Sequence, residues 1–339
     1  MPTPTPVPTD TERREPAPAD RAPTDRAPPD TVPADAVLPD PAPRDDERFD
    51  VIVIGGGPAG LTAATYLARF HRRCVVLDAG DSRARWIPES HNCPGFPSGV
   101  AGTALLDRMR AQAAQFGARL ANATVTSIEP DGDGFLVGSD DAQWRAGKVM
   151  LACGTADVLP DVPWIEDAVQ CGAVRICAVC DAFEATDGRL GVYGPADSVI
   201  GHARFLRSYS RDVSVLPIGA LAAADRDAAT EAGIACLAPD GTLAFDGRRC
   251  RYEVGGEAFE FDTVYPYLGF RTCKDLIRAA GVRCDDAGEI VVDRHQMTSV
   301  PGLYAIGDMV SGLNQIAAAV GHAAVAATHA HNTLPPAPR

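Results

Sequence analysis

The sequence predicts an α/β protein built from two Rossmann-like, nucleotide-binding domains of parallel sheet in three layers, the second inserted into the first. Three observations predict it. Two strand–turn–helix–strand units start near residues 50 and 190, and a strand followed by Gly-Asp and a long helix closes the chain. Such alternation implies a parallel sheet with helices on its faces.

The first unit begins with Asp50–Ile54 (DVIVI), an apolar, β-branched run expected to be a buried strand. GGGPAG follows, then a helix over Leu61–Arg72 and a second strand over Cys74–Asp78. Gly55, Gly57 and Gly60 form G-x-G-x-x-G between strand and helix. The first glycine permits the tight turn, the second lets the backbone approach a pyrophosphate, and the third lets helix and strand pack closely. Pro58 and Ala59 begin the helix, whose free N–H groups face the phosphates. Asp78 ends the second strand, at the spacing of an acid that accepts from a ribose hydroxyl.

A strand is expected at Val149–Ala152, ahead of the pair Cys177 and Cys180. The second unit comprises a strand at Leu190–Tyr193, a helix near Ile200–Tyr209 and a strand at Val213–Leu216. Further strands are expected at Thr263–Tyr265, Ile290–Asp293 and Leu303–Ile306, and an Ala-rich core helix from about Gln315 to His331. Within Thr298–Asp308 (TSVPGLYAIGD), the Gly307-Asp308 step precedes that helix; its acid can accept from a ribityl hydroxyl, which favours FAD over NAD for the first site.

The cysteine pair is the expected chemical centre. Cys177-Ala178-Val179-Cys180 has the spacing of a redox-active disulfide, and Asp181 follows directly. Zinc would need four ligands; Cys171 extends the run, but no matching downstream pair exists. Two structural thiols are the remaining alternative. Cys93 reads as a packed residue, and His329 and His331 are two apart and do not share a helix face. No metal site is expected.

The order of these blocks resembles that of low-molecular-weight thioredoxin reductases, FAD-dependent two-domain disulfide oxidoreductases. The resemblance spans about residues 49–333 and rests on GGGPAG, the Ala152-Cys153-Gly154 crossing, CxxC followed by Asp, and the Gly-Asp block. The family has Ala-Thr-Gly at the crossing, so Cys153 is a departure. The resemblance implies that Asn92 in Ser90–Phe96, Gly154, Gln315 and Ile316 lie against the flavin. It also implies that Cys180 faces the flavin, Cys177 meets the substrate, and Asp181 moves the proton that exchange requires. A homodimer and a thioredoxin-like protein or small dithiol as partner are further implications.

The second glycine motif is degraded, which leaves NADPH uncertain. After its strand the chain reads Gly194-Pro195-Ala196-Asp197-Ser198-Val199. Ala196 adds a Cβ where backbone should approach phosphate, Pro195 removes an N–H, and Asp197 adds negative charge. The His-Arg-Arg run typical of NADPH-using relatives is replaced by Pro217–Ala222, with no cation before Arg226. Ferredoxin-linked reductases and oxygen-using dithiol oxidases are the alternatives within the enzyme class. A flavin-bearing interaction module without turnover is the alternative outside it.

The expected division is a FAD-binding domain at 48–157 and 263–333 and an inserted domain at 158–262 carrying the CxxC. Residues 1–47 hold 13 of the 28 prolines, with Asp20, Asp25, Asp30, Asp35, Asp40 and Asp45 closing successive pentads. Such a segment cannot bury enough apolar surface to order itself, so a disordered acidic tail is expected. The 339-residue chain carries a net charge of −14, which argues against a nucleic-acid partner. No apolar run reaches the roughly 20 residues of a membrane span, and no secretory signal is visible, so the expected location is cytoplasmic.

Overall fold

The computed structural model describes residues 47–286, 288–310 and 312–336. The expected acidic tail therefore lies almost wholly outside the described residues. The chain begins with β1 (Arg48–Ile54), α1 (Pro58–Arg69), β2 (Cys74–Asp78), α2 (Gly102–Gln115), β3 (Arg119–Asn122), β4 (Ser127–Asp131), β5 (Gly134–Gly138) and β6 (Gln143–Leu151). Next come β7 (Ala156–Asp157), α3 (Ile165–Gln170), α4 (Ala178–Asp181), β8 (Leu190–Pro195), α5 (Val199–Leu206), β9 (Val213–Ile218), α6 (Ala223–Glu231) and β10 (Ala235–Cys236). The strands β11 (Thr242–Phe245), β12 (Cys250–Val254), β13 (Glu257–Phe261), β14 (Thr263–Pro266) and β15 (Phe270–Arg271) follow. The chain closes with α7 (Lys274–Ala279), β16 (Leu303–Ala305) and α8 (Ile316–Thr333).

Two sheets organise the molecule in two Rossmann-like units, the larger parallel except for its β5 and β4 edge. The larger has the order β3-β2-β1-β6-β5-β4, with β16 also on β6. The long β6 pairs in parallel with β16 through Val149–Leu151 and antiparallel with β5 through Gln143–Ala146. The smaller sheet has the order β10-β9-β8-β14, all parallel. An antiparallel β11-β12-β13 sheet and a β15-β7 ribbon complete the strands.

Alternation along β1 divides the larger core. Val51 and Val53 point to one face, where α1 and α8 pack; Ile52 and Ile54 point to the other, against the β4–β5 hairpin and α7. Alanines 59, 63, 64 and 68 of α1 and 319, 323, 326, 327 and 330 of α8 share one buried cluster. Small side chains let these two helices approach closely. Among the described residues no helix is long and apolar enough to cross a membrane.

Several expected elements differ in extent. The first helix starts three residues earlier, with Pro58 in its first turn, and ends at Arg69, because His71 adopts φ +58° and turns the chain back. The second unit's helix runs Val199–Leu206 rather than to Tyr209. Ile290–Asp293 is not a strand. Ile290 makes only isolated bridges to Cys284 and Val310. The Asp293 carboxylate accepts from the N–H groups of His295 and Met297, which folds the segment into a turn.

Candidate functional site

A cavity of about 470 Å³ opens over the C-terminal ends of β1, β2 and β6. Its floor is the glycine turn. Gly55 has φ +109°, and a Cβ there would lie 2.4 Å from the Ala152 carbonyl oxygen. A Cβ on Gly60 would lie 1.9 Å from the Gly55 oxygen, so only glycine lets α1 cross β1 this closely. Gly57 differs: its missing Cβ would meet only Ser82 Oγ, at 3.2 Å. It leaves backbone bare on a surface that lines the cavity with Pro58 and Ala59. These are the properties a pyrophosphate cradle needs.

Asp78 closes the cradle from β2. Its Oδ1 accepts from the N–H groups of Gly56 at 3.0 Å and Gly80 at 3.2 Å. Gly56, a position to which the sequence reading assigned no role, has to be glycine because a Cβ would lie 2.3 Å from that carboxylate. The acid is thus oriented by the turn it serves.

The far wall joins three distant segments through one cation. Arg83 donates to Asp157 in bidentate fashion, at 2.6 and 2.9 Å, and its third nitrogen lies 3.6 Å from Asp308. Burial raises the pKa of Asp308; Arg83 opposes the shift. Gly307 has φ +72°, and together these two residues turn the chain from β16 toward α8. Gly154, at φ +64°, lines the opening with free space beside its Cα.

Cys177 and Cys180 form a disulfide, with Cα atoms 5.3 Å apart, and both line the cavity. Gln315, which caps α8, donates from Nε2 to Cys180 Sγ at 3.3 Å and to Cys177 Sγ at 3.6 Å. Its Oε1 accepts from Asn92 Nδ2 at 3.0 Å. Four expected site residues therefore form one chain of contacts. Ile316 packs beside Val100 and Leu105 in a cluster that also holds Cys93, which is a packing residue as expected.

Asp181 is held by two groups that spacing could not reveal. Its Oδ1 accepts from the Tyr265 hydroxyl at 3.1 Å, and its Oδ2 lies 3.2 Å from Arg175. Burial nevertheless raises its pKa above the ordinary carboxylate value, against the pull of Arg175 and Tyr265. Burial, with the Asp181 charge, also raises the Tyr265 phenol, so it stays protonated. Arg175 stands two residues before the pair, a lone cation in an apolar stretch, and that was a usable signal. Tyr265 carried none, since its place in β14 reads as core.

The polar groups of the second glycine turn are already engaged within the protein. Ala196 N–H donates to Ile218 O at 3.1 Å, and the Ser198 hydroxyl donates to Pro195 O at 3.1 Å. Beyond β9, Gly219 N–H donates to Asp240, an acid where a phosphate would need a cation.

Comparison with known proteins agrees with this geometry. The model of the family described as pyridine nucleotide-disulphide oxidoreductase matches residues 49–323. A thioredoxin reductase from Mycolicibacterium smegmatis is 33% identical over 276 residues, 77% of this chain and 88% of the relative. One from Peptoclostridium acidaminophilum is 28% identical over 305 residues, 83% of this chain and 96% of the relative. The crystal structure of thioredoxin reductase from Streptococcus pyogenes superposes with a TM-score of 0.77 at 28% identity, covering 84% of this chain and 97% of that one.

Proposed function

Because the chain belongs to the pyridine nucleotide-disulphide oxidoreductase family, an FAD-dependent class acting on disulfides, we propose that it exchanges electrons with a thioredoxin-like protein or a small dithiol. The observation that carries this reading is the Cys177–Cys180 disulfide on the wall of the dinucleotide cavity, with a buried acid beside it. FAD, when bound, supplies two-electron exchange with that pair. The bare backbone of Gly55, Gly57 and Gly60 would receive its pyrophosphate, Asp78 an adenosine ribose hydroxyl, and Asp308 the ribityl chain. In this reading residues 48–157 and 263–333 form the FAD domain, and 158–262 the inserted one.

The chain's own groups handle the protons. Thiol–disulfide exchange releases a thiolate, which must be protonated, and consumes a thiol, which must be deprotonated. Asp181, its pKa raised by burial, holds a proton nearer neutrality than an exposed acid can. Tyr265 and Arg175 fix its carboxylate beside the pair. Gln315 orients both sulfurs through Nε2 and is itself set by Asn92. Cys177, which caps α4, is the sulfur we assign to the substrate, and Cys180 the one assigned to the cofactor. Val179 and Phe183, 54% and 78% exposed, flank the pair with apolar surface suited to a protein disulfide. A homodimer is part of the same proposal.

The occupied second glycine turn favours a variant of this reading, in which a dithiol or reduced ferredoxin rather than NADPH donates electrons. Anaerobic titration separates the donors. The purified protein is mixed in turn with NADPH, NADH, dithiothreitol and reduced ferredoxin while flavin absorbance is recorded. Bleaching by dithiothreitol, lost in Cys180→Ser with flavin retained, is the expected result. If Cys180→Ser bleaches like the wild type, the pair takes no part and the proposal fails.

A further inference from the structure

We infer that Gln315, polarised by Asn92 and Ser90, is a positioning residue that favours the reduced form of the Cys177–Cys180 pair and so raises its reduction potential. The inference rests on the reading above, in which this pair is reduced and reoxidised in turn.

Four side chains stand in line with their dipoles aligned. The Ser90 hydroxyl donates to Asn92 Oδ1 at 3.1 Å, Asn92 Nδ2 donates to Gln315 Oε1 at 3.0 Å, and Gln315 Nε2 donates to Cys180 Sγ at 3.3 Å. Each amide accepts at its oxygen and donates from its nitrogen, so every bond polarises the next toward the sulfurs. The direction is fixed where the line ends. Disulfide sulfurs have no hydrogen to give, so they face a donor. Turning Gln315 over would set its oxygen against both sulfurs and its nitrogen against the Asn92 nitrogen. Gln315 is the N-cap of α8, an 18-residue helix, yet its side chain makes no capping bond. It reaches the pair instead, and the positive end of the helix lies behind it.

The same contact differs in strength between the two redox states. A disulfide sulfur is a weak acceptor, whereas a thiolate takes a charge-assisted hydrogen bond about twice as strong as a neutral one. The donor therefore stabilises the reduced pair more than the oxidised pair. Nε2 lies nearer Cys180 than Cys177, at 3.3 against 3.6 Å, so it holds the charge on Cys180. The competing helix is α4, which Cys177 caps; it is a single turn of four residues and has little dipole to offer that sulfur. With glutathione as reductant the step balances. Two glutathione thiols close to glutathione disulfide, and their two electrons break the Cys177–Cys180 bond. One of their protons goes to Cys177 and the other to solvent, which leaves Cys180 as the thiolate.

Equilibration with glutathione tests this on the full chain with its flavin bound. The protein is held without oxygen at graded ratios of reduced to oxidised glutathione near neutral pH, quenched with acid and alkylated. The peptide carrying both cysteines is then read by mass spectrometry. In Gln315→Leu the equilibrium constant for reduction should fall about tenfold, about 30 mV for a two-electron couple. Asn92→Ala keeps the donor but removes the group that polarises it, and should lower the same constant about threefold. Should Gln315→Leu fold poorly, Asn92→Ala decides alone. Equal constants in the wild type and Gln315→Leu overturn the inference, even with a lowered melting temperature, and leave the proposed reaction standing. A fall in Gln315→Leu without one in Asn92→Ala overturns it too, since Gln315 would then act by packing. A wild-type pair that no ratio reduces overturns the proposed reaction, and this inference with it.

Discussion

Replacing Tyr265 with Phe removes one oxygen from the site and tests how Asp181 is tuned. The Tyr265 side chain is buried, and its hydroxyl donates to Asp181 Oδ1 at 3.1 Å. A hydrogen bond to a charged group contributes about 1.5–3 kcal/mol. Asp181 keeps about a fifth of its side chain in solvent and keeps Arg175 at 3.2 Å, so about 1–2 kcal/mol is a fair share for this contact. The donor stabilises the carboxylate form, so its loss favours the acid. At about 1.4 kcal/mol per pKa unit, the Asp181 pKa should rise by about one unit above its already raised value. The assay is the rate of flavin reduction by dithiothreitol from about pH 5 to about pH 9, for wild type and variant at matched thiol concentration, so that the reagent's own titration cancels. The limb assigned to Asp181 should move about one unit to higher pH. Superimposable profiles would refute the reasoning, even with lowered stability, since Tyr265 would then merely fill space.

Gly60→Ala should prevent α1 from seating on β1, because its Cβ would lie 1.9 Å from the Gly55 oxygen. Loss of bound flavin with a lowered melting temperature, read by absorbance and circular dichroism, is expected. Arg83→Met leaves Asp157 and Asp308 without their shared cation and should cost about 2–4 kcal/mol near neutral pH, somewhat below a fully buried pair. Its pH dependence has a definite sign. Asp308 already has a raised folded pKa, and losing Arg83 raises it further, so the folded variant binds more protons than the unfolded chain. Its stability deficit should grow as pH rises and shrink toward acid, by urea midpoints at about pH 5 and about pH 8. NADPH should reduce the flavin far more slowly than dithiothreitol in stopped flow; reduction within milliseconds would contradict the reading of the second glycine turn.

The sequence was legible where backbone geometry demands a particular residue. Gly55 and Gly60 had to be glycine for steric reasons confined to a short segment, and β1 and β2 followed from short apolar runs rich in β-branched residues. The β4–β5 hairpin and the β11–β13 sheet were not assigned, although Gly132 between the first pair and Gly255 and Gly256 between β12 and β13 mark their turns by positive φ. β4, β12 and β13 mix apolar with charged residues and expose part of their length to solvent, which blurs their pattern. Ile290–Asp293 misled for the opposite reason: an apolar run was overruled by the hydrogen bonds of one aspartate.

Side-chain partnerships were legible only when their members were neighbours in sequence. The cysteine pair and Asp181 occupy five consecutive positions, but the groups that hold Asp181 come from Arg175 and from β14, 84 residues away for Tyr265. Arg83, Asp157 and Asp308 likewise meet only because three segments distant in sequence converge beside the cavity. The second glycine turn shows why a degraded motif can still be read. A working cradle needs free N–H groups, and here the turn's own chemistry removes them: Pro195 has none, and Ala196 gives its own to Ile218. Loss of binding chemistry is local, and so it leaves a mark in the sequence; gain of a partner across the fold does not.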